Sequence, residues 1–101
     1  MWKEQIIDLG DIDAGKPINV KFEYLSEGNY SSSSTSCGCT VANWNDKDKV
    51  LETVFTPKEV AKHLKDVGQN YYNSVKYINV AMIEGASVGK YELQIKAVVH
   101  G

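Results

Sequence analysis

Cys37 and Cys39, separated by Gly38, are the residues whose type and spacing most invite chemistry. Side chains two apart on a strand face the same way, so the two sulfurs can meet one metal ion or oxidise together. Structural zinc takes four soft or imidazole ligands, and besides these cysteines the chain offers only His63 and His100. A disulfide across one residue is awkward, because extended backbone holds the two Cα atoms near the upper limit of separation, although Gly38 permits a bend. The expectation is therefore two small packing residues, with a redox pair or a metal site on Cys37 and Cys39 as the alternatives.

Nucleophilic catalysis needs a base held beside the nucleophile, and no local signature places either histidine next to a cysteine. The run Ser31-Ser32-Ser33-Ser34-Thr35-Ser36 lacks the glycine-flanked elbow of a reactive serine. Asp8, Asp11 and Asp13 sit near a glycine turn but lack the following glycine and distal glutamate of a calcium loop, so a solvated turn is the reading. No catalytic residue and no cofactor are expected. Trp2, Trp44, Tyr71 and Tyr72 fall outside the alternating runs, at what read as ends and loops. Tyrosine and tryptophan are enriched at binding hot spots, which makes Trp2, Tyr71 and Tyr72 candidates for a protein-binding surface; closing the end of a core is their other use.

The elements that must position these residues belong to one domain, residues 1–101, since 43% hydrophobic content supplies one modest core. All 11 basic groups are lysine, against 13 acidic, for a formal charge of -2. Without arginine forks or a concentrated positive face, no nucleic-acid partner is expected. Glu4 and Asp8 interrupt the apolar stretch a signal peptide needs, and no later run approaches a membrane span. That predicts a chain working where it is made, or one whose leader has been removed. Two cysteines make no disulfide framework, so the core must supply the stability.

Period-two alternation marks the strands. Ile18, Val20, Phe22 and Tyr24 share one face, as do Tyr91, Leu93, Ile95, Ala97 and Val99 near the other end. Ile78, Val80 and Met82 define a third strand. Val50 to Phe55 is apolar on both parities, the pattern of a central strand buried on both sides. The serine run, flanked by Tyr30 and Cys37, reads as a polar strand. Turn residues separate these runs at Gly10, at Ala14 to Pro17, at Glu27 to Asn29, at Asn43 to Asp48 and at Glu84 to Gly89. One segment differs: Thr56 as an N-cap, Pro57 at the first helical position, Glu59 in the first turn and Gly68 as a stop predict a helix over 57–67, with Val60, Leu64 and Val67 on one face. The fold class is all-β, an antiparallel β-sandwich with one short helical insertion.

The order of these features resembles a bacterial family of small immunoglobulin-like domains of unknown function, within the MSP- and ASH-type sandwiches. The likeness runs through Asp8-Leu9-Gly10-Asp11-Ile12 with Gly15, Val20-Lys21-Phe22-Glu23-Tyr24 with Gly28, and above all Ser36-Cys37-Gly38-Cys39-Thr40 followed by Trp44, and it closes on Tyr91 to Gly101. It departs at Asn45 to Lys49, where members carry a proline-glycine turn, and at the helix-like segment from Pro57. The resemblance implies an immunoglobulin-like fold and a non-catalytic role, with no catalytic residues to carry over.

The functional expectation is a structural or protein-interaction module. Its foremost setting is a bacteriophage virion, where such a domain decorates or builds onto a capsid or another virion protein. A binding module of the bacterial envelope or periplasm is the alternative, and a metal or redox protein acting through Cys37 and Cys39 comes third.

Overall fold

The alternating runs become seven strands in a computed structural model that describes residues 1–101. In chain order they are β1 (Ile6–Asp13), β2 (Ile18–Glu23), β3 (Asn29–Thr35), β4 (Thr40–Asn45), β5 (Val50–Phe55), β6 (Tyr71–Glu84) and β7 (Ser87–His100), with one short helix, α1 (Lys62–Lys65), between β5 and β6. They form a four-stranded sheet, β1-β7-β6-β3, and a three-stranded sheet, β2-β5-β4.

The two sheets share one core. Val20, Phe22, Tyr24, Leu51 and Phe55 contribute from the side of the smaller sheet, and Ile78, Val80, Met82, Leu93, Ile95, Ala97 and Val99 from the larger. These are the same-parity residues of each run, because a pleated strand sends alternate side chains to opposite faces. β5 lies between β2 and β4, as its apolar composition on both parities predicts. Its polar inward residue, Thr53, is fully buried and donates to the carbonyl of Val20 at 2.5 Å, which offsets the cost of burying the hydroxyl.

β6 and β7 are each 14 residues long and pair along their whole length, from Tyr71 with His100 to Glu84 with Ser87. The turn between them has two residues, and Gly85 occupies its first central position with φ 65°, where a side chain is strained. This hairpin gives the molecule its length, 54 Å against 19 and 17 Å in the other directions.

Three expectations need correction. The larger sheet is mixed: β1 runs parallel to β7, pairing Ile6 with Gln94 and Asp13 with His100 across a bulge at Gly10. Parallel neighbours need a long crossover, and the whole of the intervening chain provides it. The helix predicted over 57–67 shrinks to Lys62–Lys65. Thr56 does not begin it: the Thr56 N–H donates to the carbonyl of Cys39 at 2.9 Å, which extends the β4–β5 pairing by one residue, and the N-cap position falls to Ala61. Pro57 and Val60 are buried in a segment without regular structure, while Val67 is 80% exposed. The serine strand forms but ends at Thr35, so the cysteines fall in the turn beyond it.

Candidate interaction surface

Cys37 and Cys39 are bonded to each other through their sulfurs, with Cα atoms 5.2 Å apart. The reading as free packing residues is overturned, for a backbone reason. The segment turns from β3 in one sheet to β4 in the other, and the turn shortens an i to i+2 distance that a strand would hold longer. The Cys39 N–H donates to Cys37 Sγ at 3.2 Å, and Thr35 Oγ1 lies 3.1 Å from the Cys37 carbonyl and 3.0 Å from that of Thr40. Both cysteines are half-buried, and Cys39 packs against the core.

Trp2 belongs to the core, only 5% exposed, and is withdrawn as a surface candidate. Met1 to Lys3 lie along the end of β2: the Leu25 N–H donates to the Met1 carbonyl at 2.7 Å and the Lys3 N–H to the Glu23 carbonyl at 2.9 Å. That pairing lowers the Trp2 ring between the sheets. Its centroid lies 5.0 Å from Tyr24 and 6.3 Å from each of Trp44 and Tyr91, all edge-on, while Trp44 stacks on Tyr30 at 5.6 Å. Edge-to-face rings set the positive rim of one against the negative face of the next.

Glu84 closes this cluster. Its carboxylate accepts a hydrogen bond from the Tyr24 hydroxyl and two contacts from the Tyr91 hydroxyl, at 2.9 and 2.8 Å. The two phenols hold the Glu84 carboxyl below its ordinary range, Tyr24 more than Tyr91. Burial first, and the carboxylate second, pushes the Tyr24 hydroxyl up; the bond to Glu84 is the main cause of the rise at Tyr91. Sequence inspection passes over Glu84 because it reads as a turn residue, and nothing local announces a partner, Tyr24, 60 positions away in the chain.

Tyr71 and Tyr72 are the first residues of β6, not loop residues, and consecutive strand positions face opposite ways. Tyr72 turns inward against the core and donates to the Lys58 carbonyl at 2.7 Å, tying down the irregular segment before α1. Tyr71 turns outward, 49% exposed, beside His100, whose Nε2 lies 2.7 Å from Asp11 Oδ1.

Tyr71 has company on the outer face of the four-stranded sheet. Ile6, Val75, Tyr77, Ile83 and Val88 are each between 38% and 58% exposed. The register aligns Tyr77, Gln94 and Ile6 in one cross-strand row next to Val75, and pairs Ile83 directly with Val88 further along. Between these two apolar groups the outward rows are Ser34, Asn79 and Glu92, then Ser32, Ala81 and Lys90. The short side chains of Ser32, Ser34, Asn79 and Ala81 leave an open depression of about 460 Å³, floored by β6 and flanked by the edge strand β3 on one side and by Lys90 and Glu92 of β7 on the other. No group of three or more His, Cys, Asp or Glu side chains is placed to hold a metal ion. No helix is long and apolar enough to cross a membrane.

Compared with known proteins, the chain matches no family model, no curated protein and no solved structure.

Proposed function

We propose that the chain is a non-enzymatic protein-interaction module, an immunoglobulin-like sandwich that presents one sheet face to a folded partner. The observation that carries this reading is the gathering of Ile6, Tyr71, Val75, Tyr77, Ile83 and Val88 on the outer face of a single sheet. Scattered exposed apolar residues are ordinary on a soluble protein; several on one face, at either end of a shallow depression and interspersed with Lys90, Glu92, Lys96 and Asp8, have the make-up of a binding patch.

The groups that chemistry would use are engaged with one another. His100 meets Asp11, Glu84 accepts from two tyrosines, and the two sulfurs are bonded together. Two sheets around one core support the sandwich reading. An assembly that offers folded protein surfaces, such as a phage particle, is the setting such a face suits.

The test is cosedimentation of the purified chain with the particle or envelope fraction of its source, using Val75→Lys/Tyr77→Lys as control. Both positions are exposed, so stability should change by no more than about 0.5 kcal/mol per substitution. Loss of cosedimentation in the folded double variant is the expected result. Equal binding of both proteins sinks the reading.

A further inference from the structure

The sheets end in four edge strands, β1, β3, β2 and β4. An exposed edge is a row of unpaired backbone donors and acceptors, and natural proteins guard such rows with charge, proline, bulges or a covering segment. Three of these edges are guarded. β1 carries Asp8, Asp11 and Asp13 and bulges at Gly10, whose N–H turns to the Asp8 side chain at 2.9 Å. β2 carries Lys21 and Glu23 and has Met1 to Lys3 laid along its end. β4 is uncharged, but the Thr35 hydroxyl occupies the carbonyl of its first residue, Thr40, and Asp46, Lys47, Asp48 and Lys49 crowd its other end.

β3 is the open one. Asn29-Tyr30-Ser31-Ser32-Ser33-Ser34-Thr35 holds no charge and no proline, and one irregularity between Tyr30 and Ser32 leaves Ser32 to Thr35 in regular register with β6. Its backbone bonds run to β6 alone. No strand pairs with its other side; β4, in the other sheet, approaches it where the Thr35 hydroxyl meets the Thr40 carbonyl.

We propose that β3 is a strand-addition edge whose occupant is β3 of a second copy of this chain, paired antiparallel about a two-fold axis. The inference rests on the reading of the protein as an interaction module and names the edge and the partner. An unrelated strand would have to be chosen by side-chain pockets along the edge itself, where Ser31 to Thr35 of β3 present only small hydroxyls; the depression lies on the sheet face, over β6 and β7. A two-fold pairing needs no pocket, because every contact occurs twice and the same sequence meets itself. Registers that set Ser32 against Ser32, or Ser32 against Ser34, put small hydroxyls opposite one another and bring no like charges together. The same operation on β1 would oppose aspartates. Joined at β3, the two sheets form one continuous eight-stranded sheet, and the depressions beside Ser32 and Ser34 of both copies meet.

Sedimentation equilibrium of the full chain tests this. The expected mass is about twice 11.2 kDa, at concentrations where Ser32→Lys/Ser34→Lys, with unchanged circular dichroism, sediments as monomer. Mixing that variant with Ser32→Asp/Ser34→Asp should restore a mixed dimer, because opposite charges then face each other across the edge; this rescue excludes misfolding as the cause of the loss. A wild-type chain that stays monomeric overturns the proposal, as does a dimer that the lysine pair leaves intact. Monomeric wild type that still cosediments with its particle overturns the β3 inference alone. A β3 dimer with no such cosedimentation leaves the inference standing and overturns the particle-binding reading.

Discussion

Glu84, the last residue of β6, receives the phenol hydroxyl of Tyr24 from beyond the end of β2, so a carboxylate of one sheet is held by a tyrosine of the other. Tyr91 donates to the same carboxylate from β7. A charge that would otherwise be unwelcome at the end of an aromatic cluster is retained because two hydroxyls solvate it.

The pH dependence follows from the direction of these shifts. Glu84 has its folded-state value depressed below the ordinary 4.5, so its stabilisation is complete above that value and is lost as pH falls through the lower folded one. Tyr24 and Tyr91 are raised above the ordinary 10.0, so their contribution is complete below pH 10 and is lost as pH rises through the folded values. Urea midpoints measured from acid to alkaline pH should fall at both ends. Glu84→Gln should flatten the acid limb, and an unchanged acid limb in that variant would assign the loss to other carboxylates.

Trp2 is expected to hold the two sheets together at this end. Trp2→Ala removes a ring touching Tyr24, Trp44 and Tyr91, at a cost of about 3–5 kcal/mol, a large share of what a small domain possesses. Trp2→Phe should cost less than half as much. It keeps an aromatic ring and removes an indole N–H that is buried without a hydrogen-bond partner. Chemical unfolding of the two variants gives the ratio directly; equal losses would mean that the smaller ring of phenylalanine recovers none of the packing.

The Cys37–Cys39 bond is expected to contribute little to stability. It closes a loop of three residues, and chain-entropy reasoning gives under about 2 kcal/mol for so short a loop, against about 3 kcal/mol for one of 15 residues. Protein purified without reductant should gain about two daltons on reduction and keep its circular dichroism. Unfolding on reduction would show instead that the turn between β3 and β4 depends on the bond.

Much of the strand pattern was legible because burial imprints a period on composition. Val20 and Phe22, Leu93 to Val99, and the doubly apolar β5 carried their strand assignment locally, and the structure places them facing the core or at a sheet centre. The segment after β5 was misleading for the opposite reason. Thr56-Pro57-Lys58-Glu59 has the local chemistry of a helix start, but the pairing of Thr56 with Cys39 and the burial of Pro57 and Val60 outweigh that preference, which amounts to about 1 kcal/mol for a cap. Tyr71 and Tyr72 looked like loop residues because β6 is longer than its apolar stretch; only pairing with Val99 and His100 shows them to be strand.

By itself the sequence determined a β-rich domain with one core, the parity of the inward residues and the uncharged character of β3 and β4. Those properties belong to single segments and can be read one strand at a time. Which strands are edges, that β1 runs parallel to β7, that Trp2 is lowered into the core and that Glu84 meets Tyr24 were decided by the tertiary structure. Each depends on contacts between residues far apart in the chain, and nothing in a local period records which distant strand will supply the missing hydrogen bonds.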